Sequence, residues 1–557
     1  MTDVPRLDGY WLHEREFDSR EALLSAFEWT VPERFNMAAH LVDRPAAEHP
    51  DRPAVYAEEA GGRQRTVSFG ELYDQAAALA GHLAAAGVER GDRVGVNAPQ
   101  KPETLVAHLA CWKLGAVSVP LSVLFGEEGV RYRLDDAGAV ACVVDEANVD
   151  TLRAVRERLE PLEVLTVDVE PTREDETDLH DALAAADPVR DTADTAADET
   201  AMIIYTSGTT GAPKGVVHGH ELLLGQLPHF VCSFCNLQLD TGEDGDVFYA
   251  PIEWSWVAVF NFVVPALFFG RPVVAYAGGP FDPEATLGLL ERYGVTCFGA
   301  PPTALRAMKA ADTAAYDLDS VRVVEAGGEA LGEDVAGWAR ETFGAVVHEH
   351  YGQTEADVVV GDCTAVAERR PGCMGMELPG HEVAVLDPDS LRPVEPGEVG
   401  ELAVRYEGDP VCFQEYWNKP EKTAATLREG WLLTDDLATV DADGYFSFRG
   451  RRDDVIIRSG YRIGPEELES TLATHEAVAD AGVVGVADER RGEVPKAFVV
   501  LAGDRDPYPE LADELRAHAR QRLAEYEYPA EVEFVTSLPT TVTGKVKRSA
   551  LRERENR

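Results

Sequence analysis

Apolar and polar positions change their spacing several times along the chain. One segment places apolar residues at helical spacing, 70-GELYDQAAALAGHLAAAG-87, and two short apolar runs follow it, 93-RVGVNA-98 and 139-AVACVVD-145. Helical segments that alternate with short buried strands are typical of βαβ units. From about residue 35 to residue 167 we therefore predict an α/β fold with a largely parallel sheet.

A second alternating region extends from residue 201 to about residue 448. It begins with an apolar run that predicts a buried strand, 201-AMIIY-205, and it includes 295-VTCFGA-300, 321-VRVVEAGG-328 and 346-VVHEHYGQTE-355. Between the two regions, residues 169–199 are acidic, contain proline and hold only a weak helical pattern. We expect this segment to be an exposed connection.

The last hundred residues have a pattern of their own. A charged turn, 450-GRRDDVI-456, precedes a predicted helix at 465–475, strands at 482–487 and 497–502, and a helix at 510–523. This length is sufficient for a small independent domain. We predict a large domain over residues 1–449, a hinge at 450–454 and a small domain over residues 455–557, and we find no internal repeats.

The charge balance excludes two classes of partner. The 557 residues include 51 basic and 99 acidic side chains, a net charge of −48. Nucleic acids and anionic membranes both require clustered Lys and Arg. Only nine of the basic residues are lysine. An acidic, lysine-poor surface is typical of proteins from salt-loving cells, where counterions screen self-repulsion, and an acidic protein from an ordinary cell is the alternative.

No segment has the pattern of a signal peptide or a membrane span. The first twenty residues carry charges throughout, and the longest apolar run, 257–270, is short for a membrane span and contains Pro265. We expect a buried element there and a cytoplasmic protein. Cys232 and Cys235 form a CxxC pair without a second pair at zinc spacing, which favours small buried thiols over a metal or redox site.

The segment that follows the first strand of the second region is rich in Gly, Ser and Thr, 205-YTSGTTGAPKG-215. Such a loop lets backbone N–H groups approach phosphate oxygens, and Lys214 adds a positive charge. The common P-loop pattern is absent, because Pro213 precedes the lysine and Gly215 follows it. By itself the segment is equally compatible with a flexible surface loop.

The loop does not stand alone. It resembles the phosphate loop of the adenylate-forming superfamily, whose members activate carboxylic acids with ATP. Four further stretches resemble that family in the expected order: 351-YGQTE-355, the run at 431–436, 450-GRRDDVIIRSGYRIGPEELES-470 and 539-PTTVTGKVKR-548. Within the superfamily, 459-SGYRIGP-465 and 491-RGEVPKAFVVLA-502 look most like short- and medium-chain acyl-CoA synthetases. The resemblance implies a large α/β domain with mixed sheets and a small mobile α+β domain.

The resemblance also implies roles for individual residues in ATP binding. The β- and γ-phosphates would be held by Thr206, Ser207, Gly208, Thr209, Thr210, Gly211 and Lys214. Adenine would lie against Gly327, Gly328 and Glu329, with Tyr351 stacked on it and Gly352 and Gln353 beside the nucleotide. Thr354 would contact the α-phosphate and Glu355 would bind Mg²⁺, a cation that prefers carboxylate and phosphate oxygens. Asp436 would accept the ribose hydroxyls near Arg451, and Lys545 would reach the α-phosphate and the acid.

A second set of roles concerns CoA and the acid. In the family the small domain rotates about an aspartate, here Asp453, and CoA would then meet Ser459, Gly460, Tyr461, Arg462 and Arg491. The acyl pocket would be built around Trp254, Trp256, Phe260 and Phe262. Acetate-specialised relatives carry tryptophan at the position of Gly352, so the resemblance implies an acid longer than acetate.

Each residue has an ordinary structural explanation when it is taken singly, and their joint occurrence in order favours function. One position departs from the family, whose usual Thr-Gly-Asp is here Thr434, Asp435 and Asp436. If the middle residue requires a positive φ, aspartate is among the residues that tolerate it. The alternatives are an enzyme that loads an acid onto a carrier-protein thiol, a luciferase-type oxidase and an inactive nucleotide-binding regulator.

Overall fold

A computed structural model of the chain describes residues 4–59, 61–206, 213–452, 454, 456–458, 461–488, 492–503, 507–523, 528–540 and 546–555. They pack into two compact units. The first comprises Met1–Glu382 and Val404–Leu432, and the second comprises Val383–Ala403 and Leu433–Arg557. The predicted domain boundary at 449 differs from this division, because residues 383–403 and 433–449 pack with the second unit. The predicted hinge at 450–454 stays a prediction.

The strands are numbered in chain order. They are β1 (Pro53–Glu59), β2 (Gln64–Ser68), β3 (Arg93–Asn97), β4 (Val117–Pro120), β5 (Ala139–Asp145), β6 (Glu163–Val167), β7 (Glu176–Asp178), β8 (Thr200–Thr206), β9 (Lys214–Gly219), β10 (Phe248–Tyr249), β11 (Val273–Ala277), β12 (Cys297–Gly299), β13 (Val323–Gly327), β14 (Val346–Gln353), β15 (Asp357–Gly361), β16 (Met376–Glu377), β17 (Val383–Leu386), β18 (Gly400–Arg405), β19 (Glu415–Tyr416), β20 (Leu427–Arg428), β21 (Trp431–Val440), β22 (Phe446–Arg451), β23 (Ile456–Arg458), β24 (Tyr461–Ile463), β25 (Val478–Asp488), β26 (Gly492–Leu501) and β27 (Glu531–Val535).

The α-helices are numbered in the same way. They are α1 (Arg20–Ser25), α2 (Arg44–Glu48), α3 (Phe69–Ala85), α4 (Pro102–Leu114), α5 (Glu127–Ala137), α6 (Val149–Val155), α7 (Leu179–Ala185), α8 (Leu222–His229), α9 (Val259–Phe262), α10 (Val264–Phe268), α11 (Pro283–Tyr293), α12 (Pro302–Lys309), α13 (Glu333–Phe343), α14 (Pro420–Thr426), α15 (Pro465–Ala473), α16 (Leu511–Arg520) and α17 (Arg548–Glu555).

The first unit contains two large mixed sheets. One has the strand order β16-β15-β14-β13-β12-β10-β11-β1-β2, in which β10 to β14 pair in parallel and the edges are antiparallel. The other has the order β19-β9-β8-β4-β3-β5-β6-β7, parallel from β8 to β7 with an antiparallel β8–β9 hairpin. Helices cover the parallel strands because those strands are apolar on both faces.

A third sheet has the order β17-β18-β21-β20, with β22 beside β21. The sheet of the small C-terminal region has the order β24-β23-β26-β25, with β27 parallel to β26. An apolar core around Leu468, Leu472, Phe534 and Leu515 joins that sheet to α15 and α16. This region therefore has a core of its own, as a small domain requires.

The predicted fold class is confirmed, with mixed sheets in the large unit and a separate α+β region at the C-terminus. The alternating pattern correctly located α3, β3, β5, β8, β13 and β14. The prediction that residues 169–199 form an exposed connection is only partly correct, because this segment contributes the edge strand β7 and the packed helix α7. The run at 257–270 forms α9 and α10, and Pro265 lies in the first turn of the second helix, where proline is tolerated.

Two further expectations concern membranes and cysteines. Among the described residues, no helix is long and apolar enough to cross a bilayer. Cys232 and Cys235 are buried and free, as expected, and burial raises the pKa of both thiols well above its usual value. A thiol that stays protonated is a weak nucleophile and a weak metal ligand.

Candidate active site

The β8–β9 hairpin positions the two ends of the predicted phosphate loop. Thr206 at the end of β8 pairs with Lys214 at the start of β9. The remaining predicted phosphate-binding residues, Ser207, Gly208, Thr209, Thr210 and Gly211, lie outside the described residues. The hairpin therefore brings Lys214 to the point where a Gly/Ser/Thr-rich loop begins and ends.

Lys214 lies in a cluster with two residues that are remote in sequence. Its Nζ is 3.2 Å from the Tyr416 hydroxyl, 3.7 Å from Glu355 Oε1 and 4.3 Å from the centre of the tyrosine ring. The Tyr416 hydroxyl donates a hydrogen bond to Glu355 Oε1 across 2.7 Å. The structure therefore brings together Lys214 and Glu355, which the sequence motifs predicted as ligands of phosphate and of metal.

The backbone around Glu355 is fixed on both sides. The N–H of Phe413 donates to the Glu355 carbonyl, and His218 Nε2 lies 2.7 Å from the Thr354 carbonyl oxygen. Burial lowers the pKa of His218 to about 4, so the ring is neutral at pH 7 and its Nε2–H donates to that carbonyl. These contacts hold the turn that follows β14 against β9 and against the segment before β19.

The predicted adenine residues lie at the carboxyl ends of β13 and β14. Gly327 ends β13 and pairs in parallel with His350, one residue before Tyr351. Gly328 has φ +82°, a conformation that favours glycine. The Glu329 carboxylate accepts hydrogen bonds from Thr303 Oγ1 at 2.8 Å and from Arg306 Nη2 at 2.9 Å. Ligand sites of parallel sheets occur at this edge.

Gly352 has a structural reason to be glycine. A Cβ at this position would lie 1.9 Å from the Asp357 carbonyl oxygen and 2.8 Å from the Val358 Cα. The backbones of β14 and β15 approach closely here, at an irregularity in their register. Any side chain at 352 would therefore displace the hairpin, whatever the size of the acyl pocket.

The predicted ribose site lies in the second unit. Asp436 on β21 pairs with Arg451 on β22, and their side chains are 3.8 Å apart. Asp435 has φ +59°, so aspartate adopts a positive φ at the position where the family usually has glycine. The Asp435 side chain is exposed, and its backbone N–H donates to Glu401 Oε1 at 3.1 Å.

The aromatic residues predicted for the acyl pocket have different neighbours. Phe260 is buried against the Trp112 ring, and Trp256 contacts Phe125. Trp254 is buried, and its indole nitrogen has no hydrogen-bond partner among the described residues. Their membership of one pocket stays a prediction.

Several predicted site residues cannot be placed. The hinge Asp453, the CoA candidates Ser459, Gly460 and Arg491, and the predicted catalytic Lys545 lie outside the described residues. Tyr461 and Arg462 lie in β24.

Sequence reasoning missed Tyr416, His218, Thr303 and Arg306. Tyr416 lies in the short edge strand β19, in 415-EYWNK-419, where no quoted motif marks it. His218 lies four residues after Lys214 on the same strand, and strand alternation alone would have placed the two side chains on one face. The partners of Glu329 come from α12 and carried no signal of their own.

Two family models match the chain. One is described as AMP-binding enzyme and matches residues 42–417, and the other is described as AMP-binding enzyme C-terminal domain and matches residues 467–545. The chain is 33% identical to the mouse mitochondrial acyl-coenzyme A synthetase ACSM3 over 97% of this chain and 94% of the mouse protein. It is also 33% identical to an uncharacterized acyl-CoA ligase, YtcI, of Bacillus subtilis, over 96% of this chain and 98% of that protein.

A solved structure shares the fold. The crystal structure of the anthranilate CoA ligase AuaEII in complex with anthranoyl-AMP aligns with a TM-score of 0.86 and 27% identity, over 94% of this chain and 98% of that one.

Proposed function

The chain belongs to the AMP-binding enzyme family, among its acyl-CoA synthetases, and from this membership we propose that it joins a carboxylic acid to CoA through an acyl-adenylate. In the first step a carboxylate oxygen attacks the α-phosphorus of ATP and pyrophosphate leaves. In the second step the CoA sulfur attacks the acyl carbon, the thiol proton is lost, and AMP leaves. The proposed acid is longer than acetate.

The observation that carries this proposal is the cluster of Lys214, Tyr416 and Glu355 beside the predicted phosphate loop. The first step brings two anions together, so it requires cations and hydrogen-bond donors at the developing charge. Lys214 supplies a positive charge at the base of the loop. Tyr416 orients the Glu355 carboxylate and contacts Lys214, so one hydroxyl aligns both charged groups.

Glu355 fits the family's metal ion. Its carboxylate is largely buried, at 8% exposure, and lies in the turn after β14, where the nucleotide phosphates are proposed to bind. A carboxylate oxygen is a hard ligand of the kind that Mg²⁺ prefers, together with phosphate oxygens. When bound, Mg²⁺ would neutralise part of the negative charge of the triphosphate.

The ribose and the later steps complete the proposal. Asp436, paired with Arg451, would accept the ribose hydroxyls, and Lys545 would stabilise charge on the α-phosphate during attack. After rotation about Asp453, the CoA residues would line the pantetheine path. The partners are a small acid, ATP and CoA in the cytoplasm.

The proposal is tested with a panel of acids from acetate to decanoate, with branched and aromatic acids included. Each acid is incubated with ATP, Mg²⁺ and CoA, and AMP and thioester are both quantified. We expect AMP and thioester in equal amounts with at least one acid, and acid-dependent ATP–pyrophosphate exchange without CoA. AMP release without thioester would favour a carrier-protein loader, and no exchange with any acid would reject adenylation.

A further inference from the structure

The two faces of the nine-stranded sheet differ near the carboxyl ends of β13 and β14. On one face Val324, Ala326 and Val347 pack into the apolar core beneath α11 to α13. On the other face the same strands present Glu325 and His350, both buried, with exposed fractions of 0% and 8%. Strand alternation therefore places a polar group where a hydrocarbon surface would be expected.

Glu325, His229 and His350 form a buried cluster. His229 Nε2 lies 3.1 Å and 3.2 Å from the two Glu325 carboxylate oxygens, and His350 Nδ1 lies 3.4 Å from Oε1. Ser233 also donates a hydrogen bond to Glu325 Oε1. Burial alone would raise the pKa of Glu325, but the two imidazoles hold it well below its usual range, so the carboxylate is ionised.

The cluster borders the region proposed to hold the acid. Gly352 lies two residues after His350 on β14, and therefore on the same face of the strand. The Phe262 ring lies 5.8 Å from the His350 ring and fills the space beside Gly299, where a Cβ would be 2.5 Å from it. The His350 ring fills the corresponding space beside Gly327, where a Cβ would be 2.0 Å from Nε2.

Burying the ionised Glu325 carboxylate is unfavourable unless hydrogen bonds or other contacts offset its loss of hydration. Removing a charged group from water remains unfavourable even after the surrounding protein relaxes. The described residues leave polar atoms unpaired, because His229 Nδ1 and His350 Nδ1 are both buried without a hydrogen-bond partner among them, although His350 Nδ1 lies near the Glu325 carboxylate. A pocket for a plain hydrocarbon chain would need none of these groups.

The negative charge of Glu325 indicates which chemical group of a ligand His350 can bind. A carboxylate beside His350 Nδ1 favours the tautomer with its proton on Nδ1, which leaves Nε2 as an acceptor. An acceptor next to a buried negative charge favours a hydrogen-bond donor and disfavours a second carboxylate. Resting on the proposed function, we infer that the acid carries a hydroxyl or amino group remote from its carboxylate, which His350 binds while Glu325 and His229 position His350.

A metal ion is the competing occupant. The three side chains offer ligand atoms within 4.8 Å of one another. Metal-bound histidines almost always donate their other ring N–H to a partner, and His229 Nδ1 has none among the described residues. In addition, Ser233 and His229 already contact the Glu325 oxygens. The arrangement therefore favours an organic donor.

The test compares matched acids on one preparation of the enzyme. Benzoate is compared with its hydroxy and amino positional isomers, hexanoate with its hydroxy derivatives, and adipate and isophthalate represent dicarboxylic acids. We expect the best hydroxy or amino acid to exceed its parent at least about tenfold in kcat/KM, since a site built for a hydroxyl can discriminate far more strongly. The ratio of kcat/KM for the substituted acid to kcat/KM for its parent does not depend on the fraction of active enzyme.

Three variants assign the preference to the cluster. His350→Phe keeps a ring without nitrogen, and we expect the ratio to fall below about threefold; Glu325→Gln should lower the ratio less. Glu349→Gln makes the same side-chain replacement at a buried position on the opposite face of β14, where burial raises the pKa of Glu349 to about 8 and little charge is removed at pH 7. It should leave the ratio unchanged and shows the effect of the replacement on packing alone. Circular dichroism checks that each variant is folded.

Different results overturn different claims. A preference for the parent or the dicarboxylic acid, an unaltered ratio in His350→Phe, or one equivalent of zinc retained by the purified protein in elemental analysis would overturn the inference alone. If no acid supports pyrophosphate exchange, the proposed function fails and the inference, which rests on it, fails as well.

Discussion

The Tyr416 hydroxyl donates a hydrogen bond to Glu355 Oε1 across 2.7 Å, although 61 residues separate the two in sequence. The same hydroxyl lies 3.2 Å from Lys214 Nζ. Tyr416 therefore holds the Glu355 carboxylate and the Lys214 ammonium of the proposed ATP site close to each other. A side chain without the hydroxyl would leave a buried carboxylate with one donor fewer.

We predict that Tyr416→Phe weakens the use of ATP more than it weakens folding. A hydrogen bond to a charged group contributes about 1.5–3 kcal/mol, so kcat/KM for ATP should fall by about tenfold or more. The measurement is the initial rate against ATP at saturating Mg²⁺ and acid. Tyr73→Phe is the matched control, because the Tyr73 hydroxyl donates to the Arg190 carbonyl and belongs to no proposed site. An unchanged ATP dependence in Tyr416→Phe would contradict the proposed role.

The two half-reactions should separate between Lys545 and Gly460. Lys545 is proposed to act only during adenylation, where one well-placed donor can contribute roughly 10²–10³ in rate. Lys545→Ala should nearly abolish acid-dependent ATP–pyrophosphate exchange, yet still convert supplied acyl-adenylate and CoA to thioester. Gly460→Leu should exchange pyrophosphate and fail at thioester formation, because bulk there would obstruct pantetheine. Wild-type exchange by Lys545→Ala would end the proposal for that lysine, and equal loss in both variants would indicate misfolding.

Gly352→Ala should destabilise the protein. The new Cβ would lie 1.9 Å from the Asp357 carbonyl oxygen, and backbone must move to accept it. We expect a loss of at least about 2 kcal/mol in the free energy of unfolding, in the range of overpacked sites. Urea denaturation measures this. In the control Gly337→Ala, on α13, the nearest atom to the Cβ is 3.9 Å away, and stability should rise by about 0.5–1 kcal/mol. Equal stability of Gly352→Ala and the wild type would contradict this prediction and show that the β14–β15 hairpin accommodates a side chain. In that case Gly352→Trp could be used to test whether residue 352 limits the length of the acid.

The net charge of −48 should make folding depend on salt. Self-repulsion destabilises the compact state, and counterions screen it. We expect the melting temperature to rise from low to molar KCl. Sucrose at matched osmolality separates screening from general solvent exclusion, because it carries no charge. A melting temperature that is flat or falls with KCl would reject the prediction of a salt-adapted protein.

The sequence by itself determined the order of elements and the reaction class. The apolar spacing along β8, β13 and β14 depends on neighbours only a few residues away, so these strands can be predicted without knowledge of the tertiary structure. The motifs around Lys214 and Glu355 are also local, and their types indicate phosphate and metal chemistry. The positive φ of Asp435 could also be expected from the sequence, because aspartate stands there in place of the glycine of a short family motif.

Tertiary structure alone decided which distant residues meet. Tyr416 reaches Glu355 because β19 pairs with β9, a contact between segments about 200 residues apart. Gly352 is constrained by the backbone of Asp357, and Glu325 meets His229 only because the last residue of α8 lies beside β13. A local pattern carries no information about such pairs, since the free energy that brings them together comes from burying whole strands and helices. The order of the motifs therefore predicted the class of reaction, and the packing of the sheets decided which side chains surround it.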